Sequence, residues 1–163
     1  MGNKAVTQGI SIRLGGLRDV ELIHKLKYQA FLPLYEKYHD DETSPARESL
    51  EKVIDQLKQD DTEYYLISSG SNEVGAVRIK HKGKGVYTIS PVFVIPEFHN
   101  KGIAGKVLEK MFDIYPEAVA WRLETVLEEV GNCHLYERLG FVATGNMKYI
   151  NDNMTLIEYE KVI

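Results

Sequence analysis

Hydrophobic positions recur with two different periods along this chain, and the switches between them predict its elements. Ile10-Ser-Ile-Arg-Leu14 alternates as a short strand does, and Gly15-Gly16 ends it. From a capping Asp19, Leu22, Ile23, Leu26 and Ala30 share one helical face, with Pro33 stopping or kinking the helix. Tyr35 to Thr43 is polar, acidic and aromatic, and reads as a loop or a frayed helix end. Ser44-Pro45 supplies a capping hydroxyl and a proline for the first helical position. Leu50, Val53, Ile54 and Leu57 follow at helical spacing.

Three strand-like runs come next. Tyr64 to Ser68 is separated by Gly70-Ser-Asn72 from Val74 to Ile79, and Gly83-Lys-Gly85 turns into Val86 to Ile95. Glycine turns this short predict an antiparallel meander. Gly102 to Tyr115 reads as a helix with Ile103, Val107, Leu108 and Met111 on one face, and Pro116 marks its end. A strand over Val119 to Leu127, a short helix over Asn132 to Leu139, and a strand over Phe141 to Ile150 follow. Asn151-Asp-Asn153 then turns into a last strand, Met154 to Glu160, whose edge is expected to be exposed and available for pairing between subunits. No repeat, low-complexity tract or linker interrupts the order. The expectation is one α+β domain over residues 1–163.

Composition narrows the partners. Apolar residues make up 44% and charged ones 27%, an ordinary globular balance, and the net charge of −4 creates no basic field toward nucleic acid. Met1 to Val6 leads into no long apolar run, so neither a secretory signal nor a membrane span is expected. The single cysteine, Cys133, rules out an intrachain disulfide and agrees with a cytoplasmic, reducing setting for a monomer or homodimer. Cys133-His134 has no second pair at ligand spacing, so no metal is expected, and the thiol reads as a small buried residue.

The chemistry centres on Pro91 to Gly105, an apolar strand, a proline break and a glycine-bearing loop opening an amphipathic helix. Such a corner turns free N–H groups and a positive dipole end outward, where a phosphate-bearing ligand can sit. An ordinary strand-to-helix turn explains the loop equally well when it is taken alone. Downstream, Asn132-Cys-His-Leu-Tyr136 sets an amide and a phenol one helical turn apart on one face.

Set in this order of elements, the two blocks resemble the GNAT superfamily of acetyl-CoA-dependent N-acetyltransferases. His99-Asn-Lys-Gly102-Ile-Ala104 is similar to the acyl-CoA signature Arg/Gln-x-x-Gly-x-Gly/Ala, with histidine at the usual arginine or glutamine position. Asn132 to Phe141 is similar to the segment Asn-x-x-x-Tyr-(Glu/Lys)-(Lys/Arg)-x-Gly-Phe. The resemblance implies a mostly antiparallel mixed sheet of about seven strands with a central splay, flanked by about four helices. It places the backbone of Asn100, Lys101, Gly102, Ile103, Ala104 and Gly105 on the pyrophosphate of acetyl-CoA, with the His99 side chain at the phosphate as a weaker partner than arginine. Lys101 and Lys106 would add local charge. It also places Phe93 and Val94 beside the thioester, on a strand splaying from Trp121 to Leu127, and Asn132 at the start of its helix, capping it or reaching the pantetheine arm. Tyr136 becomes the general acid for the departing thiolate; a core tyrosine is the alternative.

A base is needed because an amine with pKa about 10 is mostly protonated at neutral pH. Glu124, Glu128 and Glu129 are the candidates, and Glu124 comes first because strand alternation can turn it to the cleft. Surface carboxylates are the alternative for each. Packing explains most of Tyr28, Phe31, Leu34, Tyr35 and Tyr38, while the resemblance makes this region a wall of the acceptor pocket; Asp40, Asp41 and Glu42 would favour a cationic amine, and a solvated loop explains them equally well. The function implied is acetyl transfer to a primary amine of a small molecule or peptide by direct attack. A non-catalytic acyl-CoA-binding module on the same fold is the alternative.

Overall fold

The computed structural model describes residues 9–163; the expectation for Met1 to Val6 lies outside them. Seven strands form one sheet in the order β1-β2-β3-β4-β5-β7-β6. The strands are β1 (Ile10–Leu14), β2 (Thr62–Ser69), β3 (Asn72–His81), β4 (Val86–Val94), β5 (Ala120–Val126), β6 (Val142–Asn151) and β7 (Met154–Val162). The helices are α1 (Val20–Tyr38), α2 (Leu50–Lys58), α3 (Ile103–Ile114) and α4 (Val130–Arg138). Every neighbouring pair is antiparallel except β4 and β5, which run parallel. That parallel ladder starts at Val86↔Ala120 and stops at Ile89↔Leu123, so β4 and β5 part from Ser90 onward. The expected sheet, splay and helices are all present.

The core is centred on Trp121, fully buried, stacked on Tyr87 at 5.2 Å and meeting Phe112 edge-on at 5.3 Å. Ile23 and Val53 of α1 and α2, Val107, Leu108 and Met111 of α3, and Leu66, Ile67 and Val77 of the sheet are also fully buried. Burying such aliphatic side chains contributes roughly 1.5–3 kcal/mol each before entropy is counted.

Four local expectations need correction. Of the two readings of Pro33, stopping the helix is overturned, because α1 runs on to Tyr38 with the proline inside it. Pro33 faces water, so the carbonyl left without its N–H is solvated and packing of α1 carries the helix past it. Ser44-Pro45 opens only a single 3₁₀ turn; Ser49 caps α2, its Oγ accepting the Lys52 N–H at 3.1 Å. Asp19 does not cap α1 through its side chain, since its carboxylate is taken by the Gly16 N–H at 2.9 Å and by Arg13 at 3.0 Å. Finally, β7 is not an edge. It lies between β5 and β6, with Met154, Ile157 and Tyr159 buried, and the edge at that end of the sheet is β6.

Candidate active site

Two cavities open where β4 leaves β5. The first, about 340 Å³, runs from the end of β4 along the loop into α3 and across to α4. The second, about 480 Å³, lies between α1 with its following loop and the sheet face of β3, β4, β5 and β7. Phe31, Leu34, Val92, Asn132 and Tyr136 line both. The two spaces therefore meet at one junction, which is the geometry a two-substrate transfer requires.

The first cavity is built largely from backbone. Asn100 adopts φ 61° and Gly102 φ 73°, so the loop curls through left-handed conformations into α3. Gly102, the residue before α3, carries no side chain to cap it, and the N–H groups of Ile103, Ala104 and Gly105 have no acceptor in the preceding turn. They line the first cavity at the positive end of a 12-residue helix. A Cβ at Gly105 would stand 3.3 Å from Leu135 Cδ1, so glycine keeps α3 close to α4 there.

Of the sequence candidates, Phe93, Val94, His99, Asn100, Gly102, Ile103, Ala104, Gly105, Asn132 and Tyr136 line this first cavity. Lys101 and Lys106 are exposed and do not. His99 turns back on the strand, its Nε2–H donating to the Val94 carbonyl at 2.6 Å. That nitrogen is committed to closing the loop. Arg138, at the end of α4, lines the same cavity, and the sequence reading assigned it no role. Its signal was the Lys/Arg position that it fills in the segment from Asn132 to Phe141.

Strand alternation decides which β4 groups face the cleft. The Ile95 N–H donates to the Val74 carbonyl at 2.8 Å on the β3 side. In an antiparallel ladder the next residue then points the other way, so the N–H groups of Val94 and Val92 turn toward the side β5 has vacated. The Phe93 backbone faces β3, with its carbonyl pressed on Gly75, and Phe93 contributes its ring, edge-on to Phe31 at 5.6 Å.

Tyr136 sits on the inner face of α4 against Phe141 and Tyr159, with ring centroids at 6.0 Å and 6.3 Å. Burial, and then the neighbouring Cys133 thiol, pushes its phenol up to about 12. Among the described residues the fully enclosed side-chain polar atoms without a partner are Tyr64 Oη and Trp121 Nε1, so the Tyr136 hydroxyl is not sealed in. Asn132 lies inside the first turn of α4, not at its start, and Glu129 holds the cap position. Cys133 is buried, its Sγ 3.7 Å from the Val126 carbonyl. No group of three metal-ligating side chains occurs among the described residues.

The carboxylate candidates separate cleanly. Glu124 lines the second cavity from β5. Glu128 accepts the Thr155 N–H at 2.9 Å, and Glu129 holds Lys37 at 2.8 Å together with the Tyr38 hydroxyl. Neither of the last two lines a cavity wall. Of the acidic stretch after α1, Asp40 lines the second cavity, whereas Asp41 accepts the Tyr35 hydroxyl. Among the described residues no helix is long and apolar enough to cross a membrane.

The model of a family described as the acetyltransferase (GNAT) family matches residues 27–141. Solved structures share the fold at low identity. The chain is similar to spermidine N-acetyltransferase from Vibrio cholerae, in complex with CoA and spermine, at TM-score 0.75 and 18% identity over 95% of this chain and 96% of that one. It is similar to the ribosomal-protein-S18-alanine N-acetyltransferase from Escherichia coli at TM-score 0.76 and 14% identity over 94% of each. PaiA N-acetyltransferase from Thermoplasma acidophilum, in complex with coenzyme A, matches at TM-score 0.75 and 16% identity over 94% of this chain and 99% of that one. Comparison with curated proteins gives no match.

Proposed function

The chain belongs to the GNAT acetyltransferase family, and from that premise we propose that it moves the acetyl group of acetyl-CoA to a primary amine by direct attack. The observation that carries the reading is the junction of the two cavities at Val92, Asn132 and Tyr136. The solved relatives with CoA in one case and CoA with spermine in another support a CoA-type donor and an amine acceptor.

In this reading the uncapped N–H groups of Ile103, Ala104 and Gly105 hold the pyrophosphate, with Asn100 and Gly102 shaping the loop around it. The donor supplies an activated acyl group and a thiolate leaving group. The Val94 N–H, turned to the cleft, is the donor aimed at the developing oxyanion. Phe93 packs beside it. Glu124 attracts the acceptor's ammonium and takes its proton, directly or through water. Tyr136, protonated at neutral pH as any phenol is and pushed up to about 12 by burial, delivers its proton to the sulfur. The burial that raises the phenol also raises a thiol placed beside it, which keeps donor and acceptor matched. We extend the reading to one domain over residues 1–163, supported by a buried cluster continuous from Ile23 to Tyr159. The lone free cysteine suits a cytoplasmic setting.

A library of primary amines, incubated with acetyl-CoA and read by thiol release, tests the proposal. Turnover with at least one amine is expected, and Tyr136→Phe should lower kcat about 10²- to 10⁴-fold while acetyl-CoA still binds. Acetyl-CoA binding with no turnover across the library would instead make the chain a binding module.

A further inference from the structure

Arg78 of β3 lines the second cavity although it is only 8% exposed. Its Nε–H donates to the Ser90 carbonyl, at the point where the β3–β4 register shifts. A guanidinium carries five N–H donors, and this bond uses one. Among the described residues no carboxylate comes within ion-pair distance of it. Glu48, which shares the cavity wall, is engaged by the buried Lys27 at 2.7 Å. The other cation of the sheet face, Arg122, is held by Glu160 at 2.8 Å. Lys82 adds a cation without an ion pair at the exposed rim of the cavity, so Arg78 is its buried uncompensated charge, while Glu124 stands exposed on β5.

A buried charge without a partner is costly, and it persists where cavity water or a ligand meets it. Resting on the acetyltransferase reading, we propose that the acceptor is a small amino-carboxylate whose carboxylate binds Arg78 while its amine reaches Glu124 and Tyr136. The planar guanidinium fork matches a carboxylate in two parallel hydrogen bonds, which an ammonium cannot offer. A polyamine would bring a second cation against Arg78, so this acceptor class differs from spermidine. A cavity of about 480 Å³ holds a molecule of amino-acid size.

The test compares α- and ω-amino acids with their own primary amides, with spermidine as a third arm. Two readouts are used: kcat/KM by thiol release, and calorimetric binding of the N-acetylated acids and amides in the presence of CoA. The second readout removes differences in amine basicity. At least one acid should exceed its amide by about 10- to 100-fold, the worth of a charge-assisted hydrogen bond pair. Arg78→Gln should bring the acid-to-amide ratio close to unity, mainly through KM, and Arg78→Lys should fall between. An arginine that only braced β3 against β4 through Ser90 would leave that ratio unchanged. Acetyl-CoA binding in the first cavity reports whether each variant is folded, and the wild-type ratio decides alone if neither is. Equal handling of acids and amides, or preference for spermidine, overturns the inference. Carboxylate binding without turnover would keep it and sink the transferase reading; turnover without carboxylate preference would do the reverse.

Discussion

Tyr136 concentrates the residue-scale argument. It lines both cavities at their junction, and burial followed by the Cys133 thiol raises its phenol to about 12. A general acid with that value should retain nearly its full kcat at about pH 10, where an ordinary phenol is half ionised. A decline centred near 10 in the kcat profile would identify a solvated tyrosine and remove the assignment. Tyr136 and Asn132 were legible beforehand because i, i+4 spacing on a helix fixes a shared face. His99 was legible only as a departure, and its turn onto the Val94 carbonyl depends on a loop conformation that no spacing encodes. Arg78 was not legible as a site residue. A single cation inside the apolar run Val74 to Ile79 was its signal, but which residues face it depends on α1 and α2 folding over the sheet.

At the scale of elements, the parting of β4 from β5 makes the cleft, and β3 holds β4 in place while it parts. Gly75 is where that hold is tightest. A Cβ there would stand 2.0 Å from the Phe93 carbonyl oxygen, backbone that cannot swing aside. Gly75→Ala is expected to destabilise the protein by about 1–3 kcal/mol, in the range of overpacked cores. Because Phe93 and Val94 line the first cavity, acetyl-CoA affinity should fall with it. Denaturant unfolding and calorimetric titration measure the two effects, and an unaltered affinity would show that β4 is positioned independently of β3. The same scale explains the misread boundaries of α1 and α2. Pro33 and Ser44-Pro45 carry strong local signals, yet tertiary packing carries α1 through the proline and delays α2 to the Ser49 cap.

For the whole molecule, titrating groups set a window of stability. The Arg13 hydrogen bond holds Asp19 below the ordinary carboxylate range, the Tyr87 hydroxyl does so for Glu117, and Thr144 with Asn146 for Glu158. Unfolded carboxylates titrate near about 4, so this stabilisation is complete above that value and lost as pH falls through the lower folded ones. The tyrosines act at the other end. Burial pushes Tyr64, Tyr115, Tyr136 and Tyr159 up, and the Glu117 hydrogen bond pushes Tyr87 to about 12. Their stabilisation is full below about pH 10, the unfolded phenol value, and is lost as pH rises through the folded ones. The Tm should therefore be nearly level from about pH 5 to about pH 9.5 and drop on both sides. A steady slope through neutrality would mean that other groups dominate.

What the sequence determined by itself was the order and kind of the elements and the two blocks around Gly102 and Tyr136. Those signals are local: periodicity, glycine turns and helical spacing act between residues a few positions apart. What only the tertiary structure decided was which of the last two strands is an edge of the sheet, β6 and not β7, and the identity of the residues facing the cleft. Strand order between β5, β6 and β7 is a choice among long-range pairings that burial of Met154, Ile157 and Tyr159 settles. Val94 is turned to the cleft because its neighbour's N–H is bonded to β3, and Arg78 meets the second cavity because α1 and the loop after it close over the sheet. These outcomes depend on which segments come together, and a one-dimensional pattern does not contain that information.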